Sequence, residues 1–562
     1  MAHRPWTKLY DTLTPTELRY PQVPIQELLR VMANLSPDKP AIDYHGSLIT
    51  FRELRQTSLR LAAALAAQGV RQGDRVALHL PNCPQYVLAY YAVLHLGAIV
   101  VNVNPQYTPT ELKHIMDTTS PKVMFTSEAA MSLVSALRET VEPFLVVVTA
   151  LGDFIAGAPV STPRSLDLPA GWLHFSRLLE NAASDRPPRV TIHGQDPAVI
   201  MFTGGTTGFP KGAVLTHANY VASATACALW GEHSLRLVPV ERRAVMTVLP
   251  LFHVFGQICC LQYAMYTGAT MILAPKFEID DFMDTLARVP EITYFPAVPT
   301  LAHAIVNHPR SGQLELDRKI KLLNTGGGPM PLSLMEQVED LGILYSEGWG
   351  MTETTSQGIA NPFIGLKKHG SIGIPLLGAE VKLVDLESGE NEVPSGESGE
   401  IVIKSPYVMS GYWNNPAETA KQVRDGWLHT GDVAVKDEDG YIFIVDRKKD
   451  MIIAGGFNIY PREIDEVLYQ HPKISEAVSL GVPDPYRGET VKAFVVLRPG
   501  QSATAQEIMD FCRERLTGYK VPRLVEFREA LPKSAVGKLL RKALRDEEMA
   551  RQNEGAQPGP LA

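Results

Sequence analysis

The chain has 562 residues, 45% of them hydrophobic and 20% charged, with 53 Lys and Arg against 61 Asp and Glu for a formal net charge of −8. That length and apolar content suffice for more than one core, so at least two domains are expected, and the acidic balance argues against a nucleic-acid partner. Five cysteines without CxxC or Cys/His metal spacing fit reduced thiols and argue against a disulfide framework or structural zinc.

The opening MAHRPWTKLY lacks the apolar run of a secretory signal. The apolar stretch from Val87 to Val103 is broken by His95, Gly97 and Asn102 into a helix followed by a strand, short of a membrane span. A cytoplasmic location is expected, with any membrane contact peripheral. Thr50 and Glu53 form a capping box, after which Leu54, Leu61 and Leu65 recur at helical spacing until Gly69. Thr108-Pro109-Thr110-Glu111 repeats the device with proline at the first helical position. Short β-branched runs at 76–80 and 99–103 lie between these helices, so strands alternate with helices in an α/β architecture with largely parallel sheets. Residues 157–197, rich in Pro, Ser and Asp, read as a surface excursion.

The stretch TGGTTGFPKG, residues 203–212, follows the apolar run 198–202. Bare glycine backbone at Gly204, Gly205 and Gly208, with the hydroxyls of Thr203, Thr206 and Thr207 and the charge of Lys211, suits an anion. It is not a Walker A loop, because Lys211 sits between Pro210 and Gly212 and a strand-like Ala213-Val214-Leu215 follows where a helix would open. Taken alone, this segment is a nucleotide or anion site or a flexible surface loop.

Further along, NTGGGP (324–329), YSEGWGMTE (345–353), HTGD (429–432) and PKSAVGK (532–538) follow in order. Near residue 385 the texture turns to hairpins and short strands, ending in the charged cluster 446–450. Beyond it lies a unit of normal small-domain size, with a helix from Glu463, strands near 477–482 and 491–497, and a helix opened by Thr504 and Glu507. The expected division is 1–446, 447–553 and a disordered tail at 554–562.

With these motifs in this order, the chain resembles the adenylate-forming superfamily of acyl-CoA synthetases, luciferases and peptide-synthetase adenylation domains over nearly its full length. VNVNPQYTPTELKH (101–114), GWLHTGD (426–432), IVDRKKDMIIAGGFNIYPREI (444–464) and LTGYKVPRLVEFREALPKSAVGKLLR (516–541) resemble its bacterial long-chain fatty-acyl-CoA synthetase branch. The resemblance implies a large N-terminal domain of α/β layered sheets with a β-rich subdomain, and a small mobile α+β lid. It implies ATP with Mg2+ and coenzyme A as co-substrates, and a fatty acid activated first as acyl-adenylate and then as thioester. An aryl-acid CoA ligase remains the alternative, and a homodimer is left open.

The site residues carry over in the same way. The 203–212 segment cradles the β and γ phosphates. Trp349, between Gly348 and Gly350, offers a flat face beside adenine, opposed by Gly327, Gly328 and Pro329. Thr352 meets the α-phosphate and Glu353 supplies a hard oxygen to magnesium. Asp432 accepts from the ribose hydroxyls, with Arg447 as a further contact. Lys538 reaches the substrate carboxylate and α-phosphate during adenylation, whereas Gly456 and Phe457 line the CoA path, so a rotation hinged near Lys449 is implied. His253, Phe255, Gly326 and Gly327 are expected at the acyl mouth, with His253 either orienting the carboxylate or simply packed.

Overall fold

The structure, a computed structural model, describes residues 4–142, 144–155, 167–182, 184–203, 210–448, 450–454, 457–484, 486–534 and 539–555, with backbone alone at 233, 234, 237, 457, 458 and 552–555. Among them five sheets form. The largest has eight strands and runs parallel from Pro197–Phe202 through Ile99–Asn102, Arg75–His79, Val123–Ser127 and Leu145–Thr149 to Leu173–His174. Its inner strands are buried on both faces, as their continuous apolar runs require. Helix Phe51–Ala67 begins at the Thr50/Glu53 capping box and Pro109–Thr119 at the Thr108/Glu111 box, each with both reciprocal hydrogen bonds. Helix Pro84–His95 is apolar nearly all round and is buried from Pro84 to Leu94.

At the other edge the sheet turns antiparallel. Pro197–Phe202 pairs with Gly212–Thr216, and the two-residue strand Gly411–Tyr412 pairs with that in turn. A second sheet is parallel through Phe295–Ala297, Leu322–Thr325 and Leu344–Met351, then antiparallel at Ser356–Ala360 and Ile374–Pro375. A third holds Ala244–Thr247, Thr270–Leu273, Pro40–Tyr44 and Ser47–Thr50. An antiparallel sheet of Glu380–Val384, Ser398–Lys404, Val423–Arg424, Trp427–Lys436 and Ile442–Arg447 follows. The last sheet is carried by Ile474–Asp484 and Gly488–Leu497 and has its own core of Ile452, Ile464, Leu468, Val491 and Ile508.

Two expectations change. Within 157–197, Leu173–His174 is an edge strand and Phe175–Glu180 a helix that buries Phe175, Leu178 and Leu179. These apolar residues at spacings of three and four were hidden by the polar composition around them. The final helix Arg541–Gly555 includes the first two residues of the expected tail, and 556–562 lie outside the described residues. The five cysteines are free and buried. No helix among the described residues is long and apolar enough to cross a membrane.

Candidate active site

The glycine-rich segment leaves strand Pro197–Phe202 at Thr203 and returns at Lys211, where the Thr203 N–H donates to the Lys211 carbonyl at 2.9 Å. A strand, not a helix, follows, which accounts for the departure from Walker A. Gly204, Gly205, Thr206, Thr207 and Gly208 lie outside the described residues, as do Lys449, Gly456 and Lys538. Lys211 Nζ lies 2.5 Å from Glu418 Oε1 and 5.4 Å from the centre of the Tyr412 ring. Tyr412 donates its hydroxyl to Glu353 Oε1 at 2.7 Å. Burial pushes the Glu353 carboxyl up, while the hydrogen bond from Tyr412 and the charges of Arg447 and Lys211 oppose that rise. A buried acid linked through Tyr412 to Lys211 gains from a cation, so Glu353 offers the hard oxygen that suits a magnesium ion.

Glu353 sits in the single turn Thr352–Thr354, which closes strand Leu344–Met351. Beyond the turn, Thr355 and Ser356 hold positive φ values of 47° and 86° without being glycine. Their strain is held by hydrogen bonds from Thr355 Oγ1 to the Tyr407 carbonyl at 2.7 Å, and to the Thr355 carbonyl from Ser223 Oγ at 2.6 Å. The strand pair is also bulged, since Trp349 faces Ile359 whereas Gly350 faces Gln357.

Trp349 donates its indole N–H to Asp432 Oδ2 at 2.7 Å. Asp432 and Arg447 are cross-strand neighbours, and Arg447 Nε lies 2.9 Å from Asp432 Oδ1. That approach is an ion pair out of hydrogen-bonding alignment, because buried Oδ1 accepts no hydrogen bond. One carboxylate oxygen is thus taken by the indole N–H, while the other faces the guanidinium. Asp432 raises the already high pKa of Arg447, so the guanidinium stays charged.

The glycine wall is uneven. Gly327 has φ +81°, and a Cβ at Gly328 would meet nothing within 4 Å. A Cβ at Gly326 would lie 3.5 Å from the Phe255 ring. His253 Nδ1 accepts the Phe255 N–H at 3.2 Å, so the imidazole caps the short helix Val254–Gly256. Phe457 opens strand Phe457–Ile459.

Glu347 lies beneath this wall, accepting the Met330 N–H, and burial pushes its carboxyl up to about 7 against the pull of Arg462. A folded-state pKa above the unfolded value near 4.3 means that the stability it contributes is present at low pH and lost as pH rises through about 7. Wild-type protein should therefore lose roughly 2–3 kcal/mol between pH 5 and 8 through this group. Glu347→Gln should remove that slope in denaturant titrations at the two pH values, and an unchanged slope would refute the assignment.

The charged cluster divides its allegiance. Asp446 accepts the Arg462 N–H at 2.8 Å and lies 3.9 Å from Arg541, and Asp450 meets Arg545 at 3.1 Å, all on the C-terminal side. Arg447, next to Asp446, faces Asp432. Tyr412 and Glu418 were missed from sequence; within GYWNNPAET, Asn415-Pro416-Ala417-Glu418 carries a helix-start signal but nothing that points to Lys211.

Residues 29–413 match the family described as AMP-binding enzyme, and residues 463–538 match the AMP-binding enzyme C-terminal domain. A long-chain-fatty-acid--CoA ligase of Bacillus subtilis (strain 168) is 40% identical over 97% of this chain and 98% of its own. A feruloyl-CoA synthase of Amycolatopsis sp is 36% identical over 91% and 96%. Among solved structures, o-succinylbenzoate coenzyme A synthetase from Bacillus subtilis in complex with ATP and magnesium ion superposes with a TM-score of 0.77 at 30% identity, covering 94% of this chain and 100% of that one.

Proposed function

The chain belongs to the AMP-binding enzymes, and on that premise we propose that it is an ATP-dependent fatty acid:CoA ligase acting on long- or medium-chain acids. The observation that carries this reading is the near-full-length likeness to the Bacillus subtilis long-chain-fatty-acid--CoA ligase. In the first step a carboxylate oxygen attacks the α-phosphorus of ATP and the bond to pyrophosphate breaks. In the second the CoA thiolate attacks the acyl carbonyl and AMP leaves.

Charge concentrates on the α-phosphate and the departing pyrophosphate, so fixed cationic and N–H donors lower the barrier most. Lys211, with Thr203 and the residues 204–208, takes the β and γ phosphates, and Thr352 the α-phosphate. Asp432 and Arg447 take the ribose, and adenine lies between Trp349 and the Gly327-Gly328-Pro329 wall. Glu353 would hold the magnesium that accompanies the nucleotide, whose charge would offset that of the phosphates. Lys538 brings carboxylate and α-phosphate together, two anions that otherwise repel. Gly456 and Phe457 then line the CoA path after a turn about Lys449. The split of Asp446 and Arg447 between the two units supports a hinge at this place, because adjacent residues already grip different bodies.

An acyl chain buried past Phe255 and Gly326 would gain about 0.8 kcal/mol per methylene, so four more methylenes would supply roughly 3 kcal/mol. The kcat/KM for fatty acids should thus rise steeply from eight to about twelve carbons and plateau or fall by eighteen. Assays of AMP formation across that series test it. Coumarate or benzoate outperforming every fatty acid would transfer the chain to the aryl-acid ligases. Any side chain at Gly327 is strained by its positive φ, so bulk there would add backbone strain to a blocked mouth.

A further inference from the structure

Glu418 takes no part in the steps above, yet it grips the lysine they need. Its position does not depend on that grip. It lies in helix Pro416–Gln422, capped by Asn415, whose side chain accepts the Glu418 N–H at 3.1 Å. The same helix is tied to the edge strand by the Tyr412 N–H, which donates to Thr419 Oγ1 at 2.8 Å, and Tyr412 pairs with Ala213, two residues after Lys211. Backbone pairing thus presents a carboxylate to Lys211 whether or not the ion pair forms.

The pair is open to solvent, with side-chain exposures of 30% for Lys211 and 23% for Glu418, so a phosphate can approach. A phosphate oxygen on the same ammonium would lie within roughly 5 Å of the carboxylate, and the two anions would repel. Lys421 Nζ stands 3.6 Å from the other Glu418 oxygen, so a carboxylate that loses Lys211 keeps a cation. Lys211, once released, stays over the Tyr412 ring, whose hydroxyl is bound to Glu353. The Lys211 ammonium also holds the Glu418 carboxyl below its usual range, so it is charged at neutral pH.

We propose that Glu418 is the resting counter-ion of Lys211, displaced by the arriving triphosphate and returned to the lysine as pyrophosphate departs. The proposal rests on the ligase reading of this site. Glu418 competes with phosphate, and its return speeds release of the leaving group.

The test is equilibrium binding of Mg-ATP to Glu418→Gln by calorimetry without acid, joined to pyrophosphate inhibition of the full reaction. The glutamine variant keeps side-chain volume and the backbone cap. Mg-ATP should bind it about threefold to fivefold more tightly, and pyrophosphate should inhibit it more strongly by a similar factor. KM for fatty acid and for CoA should not move, a split that general loosening of the fold would not produce. Unchanged or weaker Mg-ATP binding would overturn the proposal and make Glu418 an anchor that orients the lysine. Failure of the ligase reading would show separately, as absence of pyrophosphate release by the wild-type protein with any acid.

Discussion

Lys538→Ala slows formation of acyl-adenylate by about a hundredfold or more, while CoA attack on supplied acyl-adenylate keeps close to its wild-type rate. The expectation follows from charge. The first step brings a carboxylate against a triphosphate, and a cation between them acts only where both are present. The second step joins a thiolate to a mixed anhydride, which asks nothing of that cation. Lys538 lies outside the described residues, but Lys533 and Leu539 on either side of its segment are paired and the Leu540 N–H donates to the Pro532 carbonyl at 2.8 Å. Lys533 also pairs with Glu476 and Leu539 packs against the cluster of Val478 and Leu480, which anchors the segment's base to the C-terminal sheet. Pyrophosphate release measures the first half and thioester formation from synthetic adenylate the second. Equal losses in both would remove the role given to the lysine.

Gly350→Ala should be the most damaging single methyl in the nucleotide site. A Cβ there would lie 1.6 Å from the Ser356 carbonyl oxygen and 2.5 Å from its carbon, both backbone atoms with no rotamer to yield. Ser356 cannot withdraw without releasing the hydrogen-bonded positive-φ turn that follows Glu353. We expect adenylation to fall at least about a hundredfold, with about 3 kcal/mol or more of stability lost. Gly328→Ala is the control, since its Cβ enters open space, and it should unfold at close to the wild-type temperature. A Gly350→Ala enzyme with normal pyrophosphate release would mean that the bulged turn does not position Thr352 and Glu353.

What could be read in advance was local or ordered. Capping boxes at Thr50 and Thr108 are encoded within four residues, and the succession of glycine-rich and acidic motifs pointed to one superfamily. What could not be read lies in long-range pairing. Glu418 meets Lys211 across 207 positions and Trp349 meets Asp432 across 83, each through strand pairings that no local pattern records. Tyr412 is an ordinary aromatic until an edge strand lays it between Lys211 and Glu353. His253 allows either carboxylate binding or packing by residue type, and its Nδ1 accepts the N–H of Phe255 in the short helix that follows it.

The most direct test of the account is AMP formation from ATP, with and without CoA, across fatty acids of eight to eighteen carbons plus coumarate. The account predicts acid-dependent pyrophosphate release, AMP turnover that requires CoA, and a fatty acid of about twelve carbons or more as the best substrate. Nucleotide binding without pyrophosphate release for any acid, or coumarate exceeding every fatty acid, would contradict it.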